Sequence, residues 1–443
     1  MTPGDVDLVL TGGLCVTCDE AGTVTAGDIY VDGGRIVAIG GPARAARRSV
    51  DASGTIVIPG LVNLHDHLRD MTPGLDAGEG LKLDEILRFY WRLSEAAGAA
   101  EYETMAAYST ARLLAAGTTT VVDHVYPFHR DGLDEATIAG YESTGIRWYL
   151  ARGLMTQGHD PICESLENGF ERIRGLLNEG VPAERLMLAP VSFRQAAPTD
   201  YVAAREFAEV HSLRLYTHVA ETATEVQNIQ AEHGCRPIEF LDRLGFCGAD
   251  VTLVHCVLLS DAEIDLLART GTHVVHCPSN HMKLAKGFTR VVDLMDAGVN
   301  VGLGIDQMAD MFCEMRQEVL LQSIRNENPG AVSPPVALRM ATVNGARAVG
   351  FGGQLGEVSV GALADLICVS ARGLSIDPIL DPVWSVVHRA RGSDVRHVIV
   401  DGSVVVEDRE FVHLDVEALR RQAMDVIDSY YARAGIDRIR VEN

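Results

Sequence analysis

Residues 65–67 read His-Asp-His inside the run TIVIPGLVNLHDHL. A β-strand turns alternate side chains to opposite faces, so His65 and His67 project the same way, as two ligands of one metal ion must. One His-x-His pair is a weak signal in a chain with 15 histidines. Three further apolar runs strengthen it: RLYTHVAET carries His218 and Glu221, VTLVHCV carries His255, and VNVGLGID carries Asp306. Each has the β-branched, apolar composition of a buried parallel strand. Each also delivers a polar residue at its C-terminal end, where a (β/α)₈ barrel builds its active site.

His65, His67, His218 and Asp306 form a three-nitrogen, one-oxygen donor set suited to one divalent metal, Zn²⁺ first and Fe²⁺ as the alternative. Such an ion keeps a position for water and lowers its pKa to about 7, giving a metal-bound hydroxide at neutral pH. Glu221, three residues beyond His218, is placed to take a proton and hand it to the leaving atom. His255 can donate a hydrogen bond to an oxygen that gains charge, and Asp306 shares the proton work while it binds the metal.

These groups need a scaffold that brings distant strand ends together. At 443 residues and 47% apolar, the chain suits a TIM barrel of about 250–300 residues with a smaller companion. Strands are expected at the His-x-His run and over 118–124, 146–153, 186–191, 214–221, 251–257, 273–278 and 299–306. Between them, segments such as YETMAAYSTARLLAAG, ending at Gly117, and SDAEIDLLARTG, with Ser260 as N-cap and Glu263 three residues on, have helix spacing and caps. Both chain ends show short strands with Gly-rich turns, and neither end alone has enough strands for a core. The expected layout is a small β-sandwich over 1–58 and 351–415, a metal-dependent barrel over 59–350, and a C-terminal helix over 416–443 on the barrel exterior or a neighbouring subunit.

Thirty-eight basic residues against 61 acidic ones give a net charge of −23, which repels a phosphate backbone and excludes nucleic acid as the expected partner. No apolar stretch reaches the roughly 18 residues of a membrane span. The N-terminus lacks a basic segment followed by an apolar one, and nine scattered cysteines read as a reduced, cytoplasmic protein. Cys15 and Cys18 form a Cys-x-x-Cys with no second pair to complete a zinc ligand set.

His65-x-His67, the run Thr217 to Thr222, Val254-His255-Cys256, and the segments HCPSNHMKLAKG, LGIDQMADMFCEMR, MATVNGARAVGF and ADLICV together resemble the amidohydrolase superfamily. Within it they are most similar to the branch of triazine hydrolases, guanine deaminases and methylthioadenosine/S-adenosylhomocysteine deaminases. The resemblance implies one metal on His65, His67, His218 and Asp306, with Glu221 and His255 moving protons and polarising the substrate. Binuclear relatives add a carboxylated Lys at the end of the fourth strand, but LMLAPVSFRQ has none, which implies a single ion.

Three departures fall in pocket loops. Asn280-His281 stands where the deaminases have Ser-Asn, the loop after Asp306 is several residues shorter, and Val191 replaces the His that adenosine-type deaminases place after Ala-Pro. Candidate pocket residues are Arg69, Asp70, Trp91, His124, Arg152, Arg194, His276, His281 and Gln307. Arg152 and Arg194 suit a carboxylate or ring carbonyl; the alternative for each is an ion pair within the barrel rim.

The expected activity is deamination of a small amino-substituted nitrogen heterocycle: a purine, pterin, triazine or pyrimidine. Hydrolytic opening of a cyclic amide, or displacement of a ring halide or alkylamine, is the alternative with the same groups. A non-catalytic scaffold is the alternative of another class. The acidic surface and C-terminal helix permit a homo-oligomer.

Overall fold

The computed structural model describes residues 5–70 and 79–436. Eight parallel strands form the central sheet: β1 (Leu61–Asp66), β2 (Thr118–Val125), β3 (Arg147–Leu154), β4 (Leu186–Pro190), β5 (Arg214–Val219), β6 (Val251–His255), β7 (His273–His276) and β8 (Val301–Leu303). They pair in chain order from β1 to β8, at the places the apolar runs predict, with helices on the outside as a (β/α)₈ barrel requires. The seam between the first and last strands closes at the C-terminal rim. There the N–H groups of Ile305 and Asp306 donate to the carbonyl of His65 at 3.1 and 3.0 Å, and Gln307 N–H donates to Asp66 at 3.0 Å.

The run that holds the His-x-His is two elements. Thr55–Pro59 belongs to a flanking sheet and β1 to the barrel, with Gly60 as the joint. A Cβ at Gly60 would lie 2.1 Å from Thr119 Oγ1, so only glycine lets the chain cross between the layers there.

Two flanking sheets take strands from both chain ends. Four strands within Val6–Asp51 form one, and seven strands drawn from 14–59 and 366–411 form the other. Thr55–Pro59 pairs antiparallel with Leu366–Ser370, which joins the ends. Leu8, Val31, Val57, Leu366, Cys368 and Ile399 fill the space between the sheets. Burying such side chains contributes about 1.5–3 kcal/mol each, so the two pieces stabilise each other.

Local signals act as expected. Ser260 caps the helix α1 (Asp261–Thr270) through a capping box, and Gly271 ends it in the left-handed conformation at φ 70°. The C-terminal helix α2 (Val416–Arg433) lies on the barrel exterior, where Arg433 bonds Glu101 at 2.7 Å and Gln422 bonds Thr104 at 3.2 Å. Among the described residues no helix is long and apolar enough to cross a membrane.

Candidate active site

The three histidines are each oriented by a hydrogen bond at Nδ1. His67 Nδ1–H donates to the His124 carbonyl at 2.7 Å, and His218 Nδ1–H to the Val191 carbonyl at 2.8 Å. His65 Nδ1 faces Tyr216 Oη at 2.7 Å. Tyr216 spends its own proton on the Leu64 carbonyl at 2.8 Å, so His65 Nδ1–H is the donor. All three rings therefore present a bare Nε2 to the barrel mouth.

Nε2 of His65 and His218 stand 3.3 Å apart with no proton for either to share. Asp306 Oδ1 is 3.5 Å from His65 Nε2 and 3.9 Å from His67 Nε2. Lone pairs facing lone pairs repel unless a cation lies between them, and two nitrogens about 2.0–2.1 Å from a tetrahedral Zn²⁺ sit roughly 3.3 Å apart. The donor set fits a single divalent ion. Burial, then the neighbouring imidazoles, pushes His218 down to about 3, so it stays neutral as a ligand must. Burial likewise lowers His65. Tyr216 is a supporting residue that the site candidates omit. Tyr216→Phe should weaken metal affinity about 10–100-fold by freeing His65 to rotate, measured by competition with a chelator.

Backbone strain aims several of these groups. Ala220, His255, Cys256, Asp306 and Gln307 lie at φ between 46° and 76°, all at or just beyond the ends of β5, β6 and β8. Left-handed backbone is costly for residues with a Cβ and clusters at functional sites. It matters most at His255. Val251 and Leu253 pack outward with the helix layer, and strict alternation would send His255 after them. The turn at φ 76° swings it inward instead.

Glu221 is clamped from three sides. Its Oε1 lies 2.6 Å from Lys286 Nζ and 3.3 Å from His255 Nε2, and its Oε2 lies 3.4 Å from Arg194. Burial alone would raise this carboxyl, but Lys286 first and then Arg194 hold it at about 2, fully ionised at neutral pH. His255 in turn meets His281 Nε2 at 3.0 Å through Nδ1. Lys286 is the second residue that the site candidates omit. In the sequence it stands in the run KLAKG. Its direction is set by left-handed backbone at Ala285 (φ 50°) and Gly287 (φ 124°) beyond the helix α3 (Pro278–Lys283).

A cavity opens above these groups. Leu83, Ile86, Leu87 and Leu284 give it an apolar wall, and Gln195, Asn280 and Gln307 supply hydrogen-bonding groups. Arg194 and Gln307 line it, Gln307 held by Tyr90 Oη at 2.9 Å.

Six other candidates lie outside the lining among the described residues. Trp91 stacks on His159 at 5.6 Å and packs against Met155, Ile162 and Val191 behind the wall. His281 is fully buried and supports His255. Arg152 and His276 point the wrong way by parity. Ala151 and Tyr149 pack inside the barrel, so Arg152 faces the helix layer, where it pairs with Asp134 at 2.9 Å and with Glu164. Val275 and Cys277 point inward, so His276 faces outward and pairs with Glu318. Arg69 is buried against Ser94 and Tyr102. His124 stands beneath the donor cluster, its ring 4.6 Å from that of His218. The side chain of Asp70 lies outside the described part. Arg152→Met should destabilise the fold by about 3–5 kcal/mol, because it strands two buried carboxylates. The thermal midpoint should fall while kcat per folded molecule holds.

Residues 56–405 match the model of the amidohydrolase family. The 5-methylthioadenosine/S-adenosylhomocysteine deaminase of Syntrophobacter fumaroxidans is 33% identical over 93% of this chain and 95% of its own length. The 5'-deoxyadenosine deaminase of Methanosarcina mazei is 31% identical over 96% of this chain and 99% of its own length. Among solved structures, an adenosine deaminase from Xanthomonas campestris with bound zinc superposes with a TM-score of 0.90 at 28% identity, covering 97% of this chain and all of that one. An atrazine chlorohydrolase mutant from Arthrobacter aurescens, complexed with zinc and atraton, gives 0.89 at 25% identity, over 95% of this chain and all of that one. With a family match across most of its length and a metal-ready donor set at the barrel mouth, the chain belongs to the amidohydrolase family.

Proposed function

We propose that the protein is a mononuclear metal-dependent hydrolase that deaminates an amino-substituted nitrogen heterocycle. The observation that carries this is the bare Nε2 of His65, 3.3 Å from that of His218 and 3.5 Å from the Asp306 carboxylate, with the ionised Glu221 held 3.3 Å from His255. His65, His67, His218 and Asp306 would hold the ion, and zinc is the proposed metal because the solved neighbours carry it. When bound, the ion supplies Lewis acidity and a water that is nucleophilic at neutral pH.

The chain's own residues do the rest. Glu221, already a carboxylate, accepts one proton from the attacking water and passes it to the ring nitrogen, then takes the second proton from the added hydroxyl and passes it to the departing amine. The net change replaces a ring C–NH₂ by C=O, consumes one water and releases ammonia. His255, next to Glu221, faces the oxygen on which charge develops. The apolar wall of Leu83, Ile86, Leu87 and Leu284 suits the faces of a flat ring, while Gln195, Asn280 and Gln307 suit its edge atoms.

The test is ammonia release from a panel of aminopurine nucleosides, pterins, pyrimidines and triazines by zinc-loaded protein, followed by the shift of the ring ultraviolet band. Loss of that band would mark ring opening, and chloride release from a chlorotriazine would mark halide displacement, the activity named for the Arthrobacter relative. No turnover across the panel, with a metal stoichiometry near zero that added ions do not raise, would favour a non-catalytic scaffold.

A further inference from the structure

Lys286 neither belongs to the donor set nor follows from any expected chemistry, yet its side chain is 3% exposed and ends in the site. Withdrawing an ammonium from water costs several kcal/mol unless carboxylates and hydrogen bonds compensate it. A methionine would fill the same space without that penalty. The compensation here is specific. Nζ donates to Glu221 Oε1 at 2.6 Å and to Asn280 Oδ1 at 2.6 Å. Asp306 Oδ2 stands 4.0 Å away, beyond hydrogen-bond reach.

The backbone is built to reach this place. Lys286 N–H donates to the His281 carbonyl at 2.9 Å, closing the turn after α3 between two residues in left-handed conformation. Asn280, which accepts from Lys286, is itself fixed because its Nδ2 donates to the Asp306 carbonyl at 3.1 Å. A short rigid path thus runs from the backbone of Asp306 through Asn280 and Lys286 to the oxygen of Glu221 that also faces His255.

We propose that Lys286 is a positioning residue for proton transfer, fixing the Glu221 carboxylate in the rotamer from which it serves both the water and the leaving amine. This rests on Glu221 being the proton carrier in the proposed deamination. A carboxylate free to turn away loses the near-attack geometry, and a misplacement of about 1 Å costs roughly 10²-fold in rate.

The experiment compares wild type, Lys286→Met and Lys286→Ala, all zinc-loaded and checked for one ion per chain. Both variants should keep the metal and lose roughly 10²-fold in kcat with little change in KM. Propylammonium should restore Lys286→Ala saturably and leave Lys286→Met unaffected, a response that a purely structural lysine would not give. Independently of any substrate, a crystal structure of Lys286→Met should show the Glu221 carboxylate moved by more than about 1 Å. If the carboxylate keeps its place, or if kcat stays within about threefold of wild type, the proposal is overturned. If wild type itself turns over nothing on the panel, deamination fails, and the crystallographic position of Glu221 still decides the role of Lys286.

Discussion

Glu221→Gln should lower kcat by about 10³-fold or more while leaving the metal content at the wild-type value. The substitution is isosteric, and the amide oxygen can still accept from Lys286, so the packing around this buried side chain is preserved. What disappears is the ability to take up a proton. A positioned acid/base group is worth about 10²–10⁴-fold, and Glu221 is expected near the upper end because it serves two transfers in one turnover. Among the described residues, the other carboxylate lining the cavity is Asp306, assigned to the ion. Steady-state ammonia release together with metal analysis checks this. A variant that keeps a tenth or more of wild-type kcat would remove Glu221 from the mechanism.

Stripping the ion with a chelator should be just as severe, with activity falling by about 10³-fold or more and returning on stoichiometric addition of zinc. The reason lies in how the site is prepared. Burial keeps His65 and His218 neutral, and their Nδ1 hydrogen bonds leave Nε2 bare, so among the described residues nothing donates to those lone pairs. The metal-free form should also unfold at a lower temperature, because an ion that binds only the folded chain adds RT ln(1 + [L]/Kd) to its stability. His65→Ala should show both losses without a chelator. Thermal scans with and without zinc, paired with rate measurements, test the prediction, which fails if the stripped enzyme turns over at the wild-type rate.

Much of this site was legible because strand ends announce themselves. Apolar, β-branched runs that finish in His, Glu or Asp marked the strand ends where the candidate ligands sit, and the order of those runs placed them around a barrel. Parity was equally readable but needs an anchor. Once Ala151 and Val275 are known to face inward, the side-chain period of two sends Arg152 and His276 to the helix layer. The same counting puts Tyr216 beside His218 on the inner face, a signal present in RLYTH.

Other features had no local signature. His255 enters the site only because its backbone breaks the alternation, and Lys286 only because Ala285 adopts a positive φ that no residue type demands. Strand length was also obscured. The apolar run through 299–306 ends as a strand at Leu303, since the chain must leave the ladder to deliver Asp306.

The seam bonds on the His65 carbonyl give the barrel mouth a clasp. Two amides from the far side of the chain hang on the backbone of a candidate ligand residue, and Gln307 and Asp66, 241 positions apart, lock together. Circumference and ligand spacing are thereby one variable: any breathing that widens the rim pulls the Asp306 carboxylate away from the imidazoles. Grip on the cation and integrity of the cylinder should consequently fail together under force or heat.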